Sequence, residues 1–150
     1  MSHVHKIAVA IPKYGLVGGA EHFVAELTKL IALNPRYDIH VFANRWLSNS
    51  PRVTFHKVPV ITFPKFLTTM SFAYFARNKM ARMEFDLIHA HDRIFGADIY
   101  TMHGIPHRLW IHEVRKKNMT LNDRATEWAE KILVERSGCR RFISVSNLAQ

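Results

Sequence analysis

The sequence predicts an α/β fold: an open, mostly parallel sheet with helices on both faces. Three observations predict it. Short, largely apolar segments such as "KIAVAI" alternate with longer ones whose apolar residues recur at helical spacing. The short segments lack the in–out alternation of a half-solvated sheet, as strands covered on both sides do. Three of the six glycines, Gly15, Gly18 and Gly19, crowd the junction between the first strand and the first helix. In such sheets that junction lies at the carboxyl edge, where ligands bind.

The elements follow in order. "KIAVAI" (6–11) predicts a buried strand. Phe23, Val24, Leu27, Leu30 and Ile31 predict a helix over 20–33, broken by Asn34-Pro35. Strands are predicted over 38–43 and 52–60, the second leaving its sheet near Pro59. An apolar and basic segment predicts a helix over 66–83, which Pro64 keeps from beginning earlier. Two more strands are expected over 86–91 and 97–103, then a shorter helix within 106–118. The helix over 121–136 is signalled at both ends, by Thr120 with Asp123 as a capping arrangement and by Gly138 as a left-handed stop. Its stripe reads Leu121, Ala125, Trp128, Ala129 and Ile132. Residues 141–146 predict a final strand, with Ser146 capping a helix of which only "NLAQ" is present, so the chain is expected to be part of a longer protein.

Composition narrows the function. A formal net charge of +9, from 21 Lys+Arg against 12 Asp+Glu, points to an anionic partner or to a merely basic surface. A single cysteine, Cys139, excludes an internal disulfide framework and fits a reducing cytoplasm. No stretch has the length of a membrane span, and the first residues do not read as a signal peptide. Aromatic and basic residues do not interleave as nucleic-acid readers require, so no nucleic-acid partner is expected.

The glycine loop carries the chemistry. Its glycines let backbone N–H groups approach an anion, and the following helix adds the positive end of its dipole. A phosphate or sugar-phosphate is the natural guest, while Gly15 alone would serve as a tight turn. The spacing is G-x-x-G-G, which is neither the dinucleotide fingerprint nor a P-loop.

"GGAEHFVAELTKLI" resembles the G-G-[AV]-E loop and first helix of retaining glycosyltransferases of family 4, which have the GT-B fold of two Rossmann-like domains. "DLIHAH", "YTMHG" and "RFISVSNLAQ" agree in order and context, so the resemblance spans nearly the whole chain. "GADIYTMHGIPHR" also resembles the branch that glycosylates the heptose of lipopolysaccharide core. The resemblance implies the N-terminal, acceptor-side half of such an enzyme, with the nucleotide-sugar-binding domain absent from this chain. The implied reaction moves a sugar from a nucleotide-sugar donor to a saccharide or lipid-linked acceptor. It proceeds with retention of configuration and without a metal or other cofactor.

Candidate residues follow. Gly18 and Gly19 would face the donor phosphates. His103, by its place in "MHG", corresponds to the family histidine that contacts the donor sugar and supports the transition state; by itself it reads as a turn histidine. His89 and His91 flank Ala90 and share one side of a strand, shaping the cleft floor. A strand pair of that kind can share a metal, but no third ligand is apparent from spacing, and no metal site is expected. Glu21, in the first helical turn, is expected to bond loop amides or a hydroxyl. Lys13 and Tyr14, at the loop's start, would meet the acceptor or be solvated. The segment from Lys65 to Arg82 is either an anionic-membrane contact on the inner face of the membrane or a helix packed on the sheet. Two other classes stay open: a Rossmann-like oxidoreductase or epimerase, disfavoured because "VFANRW" offers no ribose-binding carboxylate, and a non-catalytic membrane-docking module.

Overall fold

Strand β1 (His5–Ala10) forms the centre of the sheet because it can be covered on both sides. Ala8 and Ala10 turn to one face and Val9 to the other, all three buried. The computed structural model describes residues 3–16, 18–48, 50–135 and 139–145. After β1 the chain makes a two-residue strand, β2 (Lys13–Tyr14), passes the glycine loop and forms α1 (Gly19–Ala32). Then come β3 (Tyr37–Ala43), another two-residue strand β4 (Arg45–Trp46), β5 (Val53–Lys57) and α2 (Leu67–Ala81). Strands β6 (Leu87–Ala90) and β7 (Ala97–Met102) lead into a short α3 (His107–Leu109), continued by a π-helical turn over Trp110–Val114. Helix α4 (Leu121–Glu135) and β8 (Cys139–Ser144) complete the described chain. The predicted stop at Gly138 and cap at Ser146 lie outside the described residues.

Among the described residues six strands form one parallel sheet in the order β5-β3-β1-β6-β7-β8, and β2 and β4 pair separately. This is the Rossmann-like order, and the direction of winding reverses between β1 and β6. Helix α1 covers one face through Val24, Ala25 and Ala32. Helices α2 and α4 cover the other through Phe72, Ala76, Met80 and Leu133.

Two predicted stripes are corrected. In α1 the buried residues are Val24, Ala25, Thr28 and Ala32, whereas Leu30 is 65% exposed and Phe23 47%. In α4 the buried face is largely polar, with Asp123, Thr126, Ala129, Glu130 and Leu133, and Leu121 is 71% exposed. Both carboxylates are engaged in ion pairs described below, so of the predicted stripe Ala129 alone is buried, while Leu121 and Trp128 are exposed. Helix α2 packs Phe72 and Met80 in the core, so its apolar side serves the fold. The strand predicted over 52–60 ends at Lys57, ahead of Pro59. The β2–β4 pair had no sequence signal, being two residues long on each side.

Candidate active site

The carboxyl edge of the sheet gathers most of the singled-out residues. Gly15 is the turn glycine: its φ is +67°, and a Cβ there would lie 2.5 Å from the Leu47 carbonyl oxygen. Gly18 has ordinary extended backbone (φ −79°, ψ 150°) and caps α1. Its N–H donates to Glu21 Oε2 at 3.3 Å, so Glu21 supplies the N3-to-N-cap half of a capping box, glycine having no side chain for the other half. At Gly19 no atom stands within 4 Å of where a Cβ would be. Turn geometry therefore accounts for Gly15 and leaves Gly19 facing open space.

The histidines form one connected group. His89 Nε2 lies 2.7 Å from Thr101 Oγ1, and the His89 and His91 ring centroids are 4.0 Å apart. His91 Nδ1 lies 3.0 Å from His103 Nε2, so one of these two rings carries the shared proton. Phe23 sets its ring edge-on to His103 at 5.5 Å and to His91 at 6.4 Å, which joins α1 to the ends of β6 and β7. Burial is the main cause that pushes all three histidines toward the neutral form. His91 falls to about 2, with His89 and His103 adding repulsion, and His89 falls to about 4. His103 is lowered too, though the nearby Asp92 carboxylate opposes the shift. A neutral, half-buried imidazole at the mouth of this group can donate or accept one hydrogen bond without first losing a proton.

Helix α4 holds the two strand ends in register. Glu130 Oε2 accepts from Arg93 Nε at 3.1 Å and from its NH2 at 2.9 Å, while Glu130 Oε1 accepts from the His107 N–H at 3.1 Å. One buried carboxylate thus ties the loop after β6, which follows His91, to the loop after β7, which follows His103. Asp123 pairs with His107 Nε2 at 3.0 Å and caps α4 by accepting from the Thr120 N–H at 2.9 Å. That hydrogen bonding holds the Asp123 carboxyl well below the usual carboxylate range. The capping role of Thr120 and Asp123 is as predicted.

Two candidates lie apart from the histidines. Tyr14 is 0% exposed: its hydroxyl lies 2.6 Å from Thr28 Oγ1 and its ring packs edge-on against Phe55. It is a core residue with no surface for an acceptor. Lys13 is exposed and lines a cavity with Arg45 and Arg93 on the far side of β1 and β6. Among the described residues, the group of side chains close enough to share a metal ion is His3, His5 and Asp86. It is exposed and sits at the amino edge, away from the glycine loop. Sequence reasoning missed Phe23 as a site residue, and also Thr101, Arg93 and Glu130. Arg93 had a signal, since it follows His91-Asp92, but Glu130 lies 37 positions further on with nothing to link it.

The sequence model of Glycosyltransferase Family 4 matches residues 17–150. A solved structure of WaaG, a glycosyltransferase involved in lipopolysaccharide biosynthesis, superposes with a TM-score of 0.82 at 15% identity, over 95% of this chain and 39% of WaaG. The sucrose-phosphate synthase tll1590 from Thermosynechococcus elongatus superposes with a TM-score of 0.55 at 12% identity, over 93% of this chain and 47% of the synthase. Compared with curated protein sequences, the chain has no match. The chain spans less than half the length of either solved structure, and at these identities the likeness is one of fold. Its extent and strand order are those of the N-terminal domain of a GT-B glycosyltransferase. With the family match covering most of its length, the chain belongs to glycosyltransferase family 4.

Proposed function

We propose that this domain is the acceptor-side half of an enzyme that moves a sugar from a nucleotide-sugar donor to a saccharide or lipid-linked acceptor with retention of configuration. The observation that carries the reading is the juxtaposition of the glycine loop with the histidine group. Gly19 faces open space at the start of a 14-residue helix, and Phe23, one turn on, touches the His103 ring. In this reading the open start of α1 at Gly19 receives the donor phosphates, the Gly18 N–H being engaged by Glu21, and neutral His103 meets the donor sugar. A second domain, outside this chain, holds the nucleotide and stabilises the leaving diphosphate electrostatically. No metal is needed for that division of labour. The acceptor is proposed to be a cell-envelope saccharide of the lipopolysaccharide kind, on the strength of the fold shared with WaaG. No helix among the described residues is long and apolar enough to cross a membrane. The enzyme is proposed to act in the cytoplasm, with Lys65, Arg77 and Arg82 on the exposed side of the α2 region available to an anionic bilayer.

The test is nucleotide release from a panel of nucleotide sugars by the enzyme that carries both domains. Release with one donor, dependent on a saccharide acceptor and giving a product of unchanged anomeric configuration, is the expected result. Acceptor-independent cofactor reduction, or no turnover with any nucleotide sugar, would contradict the reading.

A further inference from the structure

The short parallel pair β2–β4 places Lys13 directly beside Arg45. Both side chains line one cavity of about 430 Å³, so they share a face of the pair. Like charges on adjacent strand positions repel and cost stability unless something between them compensates. Among the described residues no carboxylate forms an ion pair with either of them. The third cation of the cavity is Arg93, already engaged by Asp92 and Glu130. Asp92 is the one carboxylate among the lining residues and faces Arg93, which leaves the lining with an excess of positive charge carried by Lys13 and Arg45.

The position and shape of the cavity are those of a ligand site. It opens beyond the carboxyl ends of β1 and β6, where the winding of the sheet reverses, which is where open α/β sheets bind ligands. Its volume lies within the range of small-molecule pockets. Thr62, together with Thr68 and Thr69 from the first turn of α2, adds hydroxyls that can donate or accept hydrogen bonds, while Phe72 and Val60 provide apolar wall. Hydroxyls beside an apolar wall suit a sugar ring, and the unpaired cations suit an anionic substituent on it.

We infer that this cavity is a subsite for an acceptor sugar bearing an anionic group, a phosphate monoester or a carboxylate, with Lys13 and Arg45 as the residues that select it. The inference rests on the glycosyltransferase reading for the word acceptor, but the site itself does not. It also assigns Lys13 to a cavity separate from the histidine group, so donor and acceptor approach from the two sides of β6 and meet beyond its carboxyl end.

Calorimetric titrations of the chain at low ionic strength test it, with glucose 6-phosphate, glucuronate, glucose and inorganic phosphate as probes. Glucose 6-phosphate or glucuronate should bind at least tenfold more tightly than glucose, and whichever of the two binds identifies the anion. Each of Lys13→Gln and Arg45→Gln should weaken that binding by about tenfold, while Arg36→Gln, at the opposite edge of the sheet, should leave it unchanged. Melting temperatures of the two cavity variants should stay level or rise, because removing one cation relieves the repulsion. Equal affinity for glucose and glucose 6-phosphate would overturn the inference. So would equally tight binding of inorganic phosphate, or charge variants that bind normally. Because no donor is present, the outcome separates from the reading above. Sugar-phosphate binding without any nucleotide-sugar turnover by the two-domain enzyme would retire the transferase reading alone. Turnover with no anion binding by the chain would retire the subsite alone.

Discussion

His91 is the most deeply buried member of the histidine group, and with His89 it makes the domain sensitive to acid. In the unfolded chain it titrates near the ordinary histidine value, whereas in the fold it is held down to about 2. Its contribution is complete above the unfolded value. As pH falls below that value, the unfolded chain takes up a proton that the fold refuses, and stability is lost. Between pH 7 and pH 5 the loss from this residue should be about 2 kcal/mol. Melting curves at pH 7, 6 and 5 should show a steady fall in Tm, shallower in a His91→Asn variant. A flat profile in the parent protein would mean that the group is hydrated in solution. Gly15 and Gly19 give a paired test at the same scale. Gly15→Ala forces a positive φ on a side chain that meets the Leu47 carbonyl, and should cost at least 1–3 kcal/mol of stability. At Gly19 an added Cβ has no described neighbour within 4 Å, so Gly19→Val should leave the melting temperature nearly unchanged while impairing donor use in the two-domain enzyme. If Gly19→Val unfolds the chain, or leaves donor kinetics unaltered, the phosphate role of this position is wrong.

At the scale of elements, α4 holds the site together and α1 bounds it. Glu130 joins the loops after β6 and β7, so Glu130→Ala removes two hydrogen bonds from the largely buried Arg93 guanidinium and leaves it the Asp92 carboxylate as ion-pair partner. Breaking a buried pair from one side costs about 3–5 kcal/mol, and the remaining Asp92 pair keeps the loss toward the lower figure. Chemical denaturation should show a loss of that order, and backbone chemical shifts around His91 and His103 should move with it. A loss within 1 kcal/mol would mean that the bridge is solvated. The same helix shows how far the sequence could be read. Its start was legible because the Thr120–Asp123 cap is a local pattern, complete within four residues. Its buried face was not, because Asp123 and Glu130 point inward to partners that sequence spacing does not reveal. The six strands of the main sheet were legible within one to three residues, the central ones because buried parallel strands are apolar along their length. The pairing of Lys13 with Arg45, by contrast, depends on where two distant loops meet. Of the site, His89, His91 and Glu21 could be placed by periodicity and by position in a helical turn. Tyr14 could not, since an aromatic residue at a loop's start reads the same whether it turns inward or outward.

For the molecule as a whole, the sheet has two open regions at its carboxyl edge: the glycine loop with the histidines on the α1 side, and the basic cavity on the α2 side. In the proposed reaction the charge on the leaving diphosphate is stabilised by a second domain. The 150-residue chain should therefore fold and melt cooperatively yet transfer no sugar when supplied with nucleotide sugars and acceptor. Robust turnover by the chain alone would place the whole active site within it. The net charge of +9 fits a surface that attracts phosphorylated or acidic saccharides over a distance, an attraction that should weaken as salt rises.

In the proposed reaction His103 faces the reacting sugar, and steady-state kinetics of His103→Ala in the two-domain enzyme are the decisive measurement. Contacts of this kind matter more in the transition state than in the ground state. The kcat should fall by about a hundredfold or more, the scale of one lost preorganised hydrogen bond. Donor KM should change little, and the melting curve should lie close to that of the parent. His89→Ala should show the reverse, with a mild effect on kcat and a clear loss of Tm, because its ring is held inside by Thr101. A His103→Ala enzyme with near-normal kcat, or one that loses activity only in proportion to its folded fraction, would contradict the account.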